Sequence, residues 1–390
     1  MVKQHICGPA VPVVETMNDK PADFKSIKRE FSSDACGDPE RFRRVELTNQ
    51  EMMSQGAAMR ATLETTKDAI AKIASDLAGR ALDRVVIVGC GDSWISGIGV
   101  RLAMERLLGV PVEAVEAFDM ENYGLAIAGK GTLAIGISSS GKTPPVTASI
   151  VGVRERGGYA VAVTNTPTAP MIADADASML IKATRGGWPT QASTACMAAL
   201  IALAHAIAAA RGRGEGSASG IGEAIEAMPG MVDAVSKVFW QPAEALGKRL
   251  AGVNLIMLAG AGPHFAPAAF GSAKLRELGP IHAYAFPLEE YHHYRTQKEG
   301  DVMFLIAPDA ASRQRALETA IVGQGVGGHT IALVPEDETG FDAHVDHVWR
   351  LPAVRDDLAP ILYSVPLHVF SYHYTKARDA LGLGAPRLGL

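Results

Sequence analysis

Residues 84–93, RVVIVGCGDS, are the stretch that decides the fold of this chain. A short run of β-branched residues ends in glycines and a polar turn, which is typical of a buried parallel strand. Residues 132–143, TLAIGISSSGKT, repeat the pattern, and AVAVTNT and SMLIKA add two further strands. Helix-forming segments separate these strands, and the alternation predicts a doubly wound parallel sheet.

The same alternation returns in the second half of the chain. NLIMLAGAG predicts a strand with a glycine turn, PAAFGSAKLRELG a helix, and HAYAF, DVMFLIAP, HTIALVP and HVWRLP further strands. A glycine- and serine-rich stretch, residues 211–222, separates the halves. We predict an α/β protein with an N-terminal arm over residues 1–50 and two domains, 51–215 and 216–390. The pattern over residues 49–80 is helical.

Composition and charge exclude several classes of protein. The 390 residues are 48% apolar and 20% charged, which is enough to bury the cores of two domains. A net charge of −5 argues against a nucleic-acid binder, which needs a basic surface. We expect neither a membrane span nor a signal peptide. The cysteines, Cys7, Cys36, Cys90 and Cys196, lack CxxC spacing, so we expect free thiols in a reducing cytoplasm.

Three turns that precede helices carry small polar side chains. They contain Ser93, then Ser138, Ser139, Ser140 and Thr143, and then Gln191 and Ser193. Ligands bind at the carboxyl ends of strands in such sheets, where hydroxyls and free N–H groups can hold an anion. Helix capping explains the hydroxyls of any single turn equally well. Hydroxyls at four of the six positions in residues 138–143 favour anion binding there.

Nucleotide binding is a weaker interpretation of the same turns. Residues 136–143, GISSSGKT, match the P-loop pattern, but Pro144 and Pro145 follow where the P-loop helix should begin. No acidic strand for magnesium follows either. In the first turn, Trp94 stands where the dinucleotide fingerprint has its third glycine. We therefore rank nucleotide hydrolysis and dinucleotide binding low.

Five stretches together resemble the double sugar-isomerase (SIS) domain proteins, whose best-known member is the isomerase half of glucosamine-6-phosphate synthase. In the family's order they are VIVGCGDSW, LAIGISSSGKT, AVTNTPTAPMIADADASMLIKA, AKLRELGPIHAYAF and APILYSVPLHVFSYH. The resemblance covers about residues 51–387 and implies two flavodoxin-like SIS domains. The synthase's glutaminase domain has no counterpart, so we do not expect amination from glutamine.

The resemblance implies a role for each site residue. The family's phosphate loop falls on Ser138, Ser139, Ser140 and Thr143, with Ser93, Gln191 and Ser193 on the flanking turns. Its enolisation base falls on Glu277, its helix lysine on Lys274, and the histidine and glutamate of its ExxH motif on His293 and Glu290. On residue types alone, Glu277 is a solvated carboxylate, and His292 and His293 are a surface pair or part of a metal pair with Glu289 and Glu290.

Two departures from the family pattern bear on the chemistry. Lys142 replaces the acid of the common SGET loop, which places a cation beside the hydroxyls, unless it points into solvent. The family's tail has a lysine that reaches the sugar, whereas here Pro386 and Arg387 are followed only by residues 388–390. This difference puts synthase-like amine chemistry in doubt.

The resemblance and the residue types together predict an aldose–ketose isomerase of a phosphorylated or otherwise anionic sugar. Such chemistry needs a carboxylate to move a proton and an imidazole to open the ring, but no metal or other cofactor. The alternatives are an amino-sugar-phosphate deaminase-isomerase, a sugar–amine deglycase and a non-catalytic sugar-phosphate sensor. We expect a homodimer in which His293 completes the neighbouring subunit's site, with no nucleic-acid or membrane partner.

Overall fold

Two five-stranded parallel sheets, one in each half of the chain, form the frame of the molecule. The computed structural model describes residues 37–213 and 219–384. The strands of the first sheet are β1 Arg84–Gly89, β2 Val112–Glu116, β3 Thr132–Ile137, β4 Tyr159–Thr164 and β5 Ala177–Leu180. Those of the second are β6 Leu255–Gly260, β7 His282–Pro287, β8 Val302–Ile306, β9 His329–Pro335 and β10 His347–Leu351. The predicted α/β class is confirmed.

The order of the strands is the same in both sheets. The first reads β2-β1-β3-β4-β5 and the second β7-β6-β8-β9-β10. This is the flavodoxin-like order, in which the winding reverses between the first and third strands of each set. The central strands β3 and β4 are buried at every position, as expected when helices cover both faces of a parallel sheet. The repeated order confirms that the second half of the chain repeats the architecture of the first.

Helices connect the strands and cover the sheets. They are α1 Pro39–Met53, α2 Gln55–Ala78, α3 Asp92–Leu108, α4 Pro144–Glu155, α5 Gln191–Ala210, α6 Ile221–Val238, α7 Trp240–Leu250, α8 Phe265–Leu278, α9 Glu290–Tyr294, α10 Ala310–Gly325 and α11 Ala359–Ala380. Single helical turns occur within residues 117–127 and at Pro170–Ile172 and Gly262–His264. The predicted domain boundary at residue 215 lies outside the described residues.

The N-terminal region differs from the prediction. Residues 49–80 do not form one helix, because α1 ends at Met53 and α2 begins at Gln55. The arm boundary at residue 50 falls inside α1, which starts after a side-chain cap from Asp38. The described part of the predicted arm is docked on the body, since Arg41 and Asp379 of α11 form a buried ion pair at 2.9 Å. Residues 1–36 lie outside the described part.

Helix α5 is the most apolar helix of the described residues. It is long and apolar enough to cross a membrane by length and composition, a run that the sequence-based expectation of no membrane span overlooked. Its most apolar window is 78% buried inside the protein, and it packs on α2 and α3. Burial of this kind is typical of the central helix of a globular core.

Helices α3 and α8 join the two halves at the carboxyl end of the first sheet. Helix α3 begins directly after the turn that follows β1, and α8 follows β6 of the second sheet. Lys274 of α8 donates to the Asp92 carboxylate at the start of α3, with Nζ and Oδ2 2.7 Å apart. This contact places second-domain side chains beside the turns of the first domain.

Candidate functional site

The first sheet has a crevice at the point where its winding reverses. In doubly wound sheets, ligands bind between the carboxyl ends of the two strands that flank this point, here β1 and β3. The turns after these strands line one cavity of about 240 Å³. It brings together six of the residues predicted from the sequence: Ser93, Ser138, Ser139, Ser140, Thr143 and Glu277.

The turn after β3 is held in shape by its own hydroxyls. Ser138 and Thr143 bond through their side-chain oxygens at 2.8 Å, and the Gly141 N–H donates to the Ser138 hydroxyl at 3.1 Å. Gly141 has φ +62°, and a Cβ there would overlap that of Ala169. The Ser139 hydroxyl donates to the Asn165 side chain at 2.8 Å. The hydroxyls are therefore preorganised by bonds that need no ligand.

Free N–H groups make this turn suitable for an anion. Within the described residues, the backbone N–H groups of Ser139, Ser140 and Thr143 have no hydrogen-bond partner. Helix α4 begins only at Pro144, so Lys142 lies in the loop and not in the first turn of a helix as in a P-loop. Free amides next to small hydroxyls are the donors that hold a phosphate without nucleotide-specific contacts.

A buried lysine holds the Glu277 carboxylate. Lys274 is fully buried and contacts both Glu277 and Asp92. Burial alone lowers the pKa of Lys274, but the two carboxylates outweigh it and hold that pKa above its usual value. The side chain of Glu277 is 36% exposed and lines the cavity, so it is not a freely solvated helix carboxylate. Two carboxyl groups therefore share one buried ammonium here.

Two charged residues of the cavity were not predicted as site residues from the sequence. Asp92 lines it with its side chain only 14% exposed, and burial raises the pKa of this carboxyl against the attraction of Lys274. In the sequence it is an ordinary acid of a first helical turn. Arg185 also lines the cavity, from the loop between β5 and α5. This loop, RGGW, matches no binding motif, so no sequence signal marks Arg185.

The two residues predicted on the third turn line two other cavities. Ser193 lines a small cavity of about 40 Å³. Ser93 and Ser139 line both this cavity and the cavity of about 240 Å³ described above, which we call the main cavity. Gln191 lines a separate cavity and donates from its amide to the Thr184 hydroxyl at 2.5 Å. Ser193 is therefore next to the anion turn, while the Gln191 side chain supports a loop.

Three predicted residues lie away from the main cavity. Lys142 lies in the hydroxyl loop, but it is exposed and does not line the cavity. His293 and Glu290 lie on α9, and the His293 side chain is 66% exposed, with its nearest charged partner, Glu289, 3.9 Å away. One chain alone does not bring His293 to Glu277. No group of three His, Cys, Asp or Glu that could hold a metal ion occurs in residues 37–213 and 219–384.

The second sheet has an equivalent crevice that its own side chains occupy. After β6 and β8, the buried His264 and the partly buried Asp309 meet with Nε2 and Oδ2 2.5 Å apart. The hydrogen bond from His264 holds the pKa of Asp309 well below its usual value.

Comparison with known proteins identifies the family to which this fold and this cavity belong. A model of the SIS domain matches two segments of the chain, residues 80–210 and 249–376. The chain belongs to the SIS domain family. The two SIS segments contain both sheets and every residue of the main cavity, whereas α1 and α2 precede the first SIS segment.

Similar proteins cover much of this SIS chain at low identity. The isomerizing glutamine–fructose-6-phosphate aminotransferase of Streptomyces coelicolor is 28% identical over 309 residues, which are 77% of this chain and 50% of that protein. The same enzyme of Bordetella pertussis is 28% identical over 339 residues, or 84% and 55%. The chain thus spans about half the length of these curated relatives.

Solved structures show the same fold. The C-terminal domain of glucosamine-fructose-6-phosphate aminotransferase from Francisella tularensis has a TM-score of 0.76 at 20% identity and covers 85% of this chain and 96% of its own. Glucosamine-6-phosphate deaminase from Thermotoga maritima scores 0.67 at 17% identity, covering 86% and 95%. Tagatose-6-phosphate ketose/aldose isomerase from Escherichia coli scores 0.70 at 16%, covering 84% and 92%. At these identities the likeness establishes the fold and not the activity.

Proposed function

We propose that this SIS protein is an aldose–ketose isomerase of a phosphorylated or otherwise anionic sugar. The observation that carries the proposal is one cavity lined both by the preorganised hydroxyl turn, residues 138–143, and by the Glu277 carboxylate. The turn offers donors for a charged end group, and the carboxylate offers a base. Membership of the SIS family supports this combination, as do the names of two similar proteins, an isomerizing aminotransferase and a ketose/aldose isomerase.

The proposed chemistry assigns one task to each group. The anion held by the turn fixes the far end of the open-chain sugar, which orients C1 and C2. Glu277 removes the proton from C2 of the aldose, and the electron pair of that bond forms the C1–C2 double bond of an enediolate while the carbonyl bond electrons move to O1. The O2 hydroxyl proton passes to O1, C2–O2 becomes the new carbonyl, and the electron pair of the C1–C2 double bond takes the proton back from Glu277 to form the new C1–H bond. Lys274 and Asp92 act by holding Glu277 in place.

Ring opening requires a further group, which we propose comes from a second subunit. His293 is exposed on α9, and the nearby Tyr294 is 75% exposed. Tyr284, on the edge strand β7 of the second sheet, is 57% exposed. Exposed aromatic side chains next to an unpaired strand edge are typical of an interaction surface. A homodimer through this surface would place His293 at a neighbouring site, with Glu290 as its partner in the motif.

A second candidate is an amino-sugar-phosphate deaminase-isomerase or a sugar–amine deglycase. The two acidic side chains that line the cavity, Asp92 and Glu277, favour it, because a carboxylate attracts the ammonium of an amino sugar. One structure with this fold is named a glucosamine-6-phosphate deaminase. The presence of the positioned base Glu277 argues against a purely non-catalytic sensor.

Free Cys90 and Cys196 suit a reducing compartment, and we propose the cytoplasm.

Proton NMR in D₂O tests the proposal. The purified protein is incubated with a panel of sugar phosphates, amino-sugar phosphates and the matching neutral sugars. Interconversion with deuterium entering at C1 or C2 of a phosphorylated sugar supports the isomerase. Release of ammonia or of a free amine supports the second candidate. Binding without exchange or release across the panel refutes both enzymes and favours the sensor.

A further inference from the structure

Arg185 lines the main cavity with a guanidinium that has no partner among the described residues. It lines the cavity together with Ser139, Ser140 and Thr143, and within the described residues its side chain has no hydrogen-bond or ion-pair partner. An exposed arginine is not by itself a binding residue. Here it adds a planar fork of donors to a turn that already presents hydroxyls and free amides, and this fork matches the oxygens of a phosphate.

The loop that carries Arg185 is fixed from helix α1. Glu51 of α1 is buried, and its Oε1 accepts from the Thr184 hydroxyl at 2.8 Å and from the Gly186 N–H at 2.7 Å. Its Oε2 accepts from the Gly187 N–H at 3.1 Å. These bonds hold the chain on both sides of Arg185. Burying a carboxylate is costly unless hydrogen bonds satisfy it, and Glu51 makes all three of these bonds to one loop.

A second set of contacts from α1 holds the end of the same loop. The Trp188 N–H donates to the Thr48 hydroxyl at 2.9 Å, and Arg44 stacks over the Trp188 ring at 4.3 Å. A Cβ at Gly187 would overlap the Thr48 backbone, so only glycine permits this close approach. Helix α1 lies outside both SIS segments, yet it determines the path of a loop that lines the cavity.

We infer that Arg185 binds the anionic end group of the substrate and that Glu51 is the positioning residue that keeps Arg185 at the cavity. The inference rests on the proposed function for the identity of the ligand, but it assigns to α1 a part in ligand binding. Arg185 acts through charge and two parallel N–H donors, and Glu51 acts only through the loop.

The experiment compares wild type, Arg185→Gln, Arg185→Lys and Glu51→Gln in the intact protein. Binding of inorganic phosphate is measured by calorimetry at low and high salt, and KM and kcat are measured with the sugar phosphate found active. Arg185→Gln should weaken phosphate binding and raise KM by about 10- to 100-fold, the loss of charge-assisted bonds, with kcat within about threefold. Arg185→Lys should retain part of the affinity. The difference in phosphate affinity between wild type and Arg185→Gln should become smaller as the salt concentration rises.

Glu51→Gln tests positioning against mere stability. It replaces one acceptor of the clamp by a donor, so it should raise KM when Arg185 is present and add little in the Arg185→Gln background. Glu46→Gln is the matched control, because Glu46 lies on α1 but contacts Lys376 and Tyr372 of α11. It should leave phosphate affinity and KM unchanged.

The outcomes separate the inference from the proposed function. Weaker phosphate binding by Arg185→Gln supports the inference even if no sugar phosphate is turned over, which would refute only the isomerase. Equal phosphate affinity of wild type and Arg185→Gln, or no phosphate binding by wild type, overturns the inference. An equal effect of Glu51→Gln and Glu46→Gln on KM overturns the positioning role of Glu51.

Discussion

Replacing Lys274 with methionine should destabilise the protein strongly, and by an amount that depends on pH. Lys274 is fully buried between Asp92 and Glu277, and methionine keeps most of its volume while removing its charge. Removing one partner of a buried ion pair leaves an uncompensated charge and costs about 3–5 kcal/mol. We expect a loss of this size in the free energy of unfolding at pH 8.

The pH dependence follows from Asp92. Burial already raises the pKa of Asp92, and Lys274 is the largest influence that opposes that rise. A carboxyl whose folded pKa is raised costs nothing below its unfolded pKa of about 3.9; the penalty grows as pH rises from there to the folded pKa and stays constant above it. The loss in Lys274→Met should therefore be smaller at pH 5 than at pH 8. Wild type should show a weaker dependence in this range, since Lys274 stays charged until its own raised pKa is exceeded and opposes the rise in the pKa of Asp92.

Urea unfolding at pH 5 and pH 8 measures these losses. Asp92→Asn in the Lys274→Met background removes the unpaired buried charge of Asp92. It should recover most of the lost free energy of unfolding at pH 8. Lys376→Met is the matched control, because its pair with Glu46 is about one-third exposed on both sides and is worth about 0–1 kcal/mol. A loss below about 1 kcal/mol for Lys274→Met at pH 8, or the same loss at both pH values, would refute the buried-ion argument.

Three further changes test the site. Gly141→Ala should weaken phosphate binding and lower stability by about 1–3 kcal/mol, because the residue has φ +62° and no room for a Cβ; an unchanged melting temperature contradicts this. Lys142→Glu should reduce phosphate affinity at low salt less than Arg185→Gln does, because Lys142 does not line the cavity; the reverse order in a titration would show that the loop turns inward. Mixing inactive Glu277→Gln and His293→Ala proteins with subunit exchange should restore part of the activity if sites are shared, and a monomer by light scattering excludes this.

The fold and the anion turn could be predicted because they are local in the sequence. Buried parallel strands are continuous apolar runs, so β1 and β3 are visible without any partner. The hydroxyls of residues 138–143 are consecutive, and their strand-to-helix context identifies the edge of the sheet at which they lie. The pairing of Lys274 with Glu277 was within reach because the two are three residues apart on one helix.

The remaining parts of the site depend on contacts between distant residues. Glu51 and the loop that it holds are more than a hundred residues apart, and one buried glutamate in a helix has the same sequence signature as an exposed one. Asp92 has the sequence context of a helix N-terminus until the second domain brings Lys274 to it. The role of His293 rests on the proposed second subunit, whose position the pattern of a single chain does not specify.

The central claim is that Glu277 moves a proton at the carbon next to the carbonyl of an anionic sugar. The direct measurement is the rate of deuterium incorporation at C2 in D₂O for wild type and Glu277→Gln, alongside calorimetric binding of inorganic phosphate. The account predicts an exchange rate lower by about 10²–10⁴-fold in Glu277→Gln, the usual contribution of a general base, with phosphate affinity unchanged. Exchange at a near-normal rate in Glu277→Gln would contradict it and remove Glu277 from the mechanism.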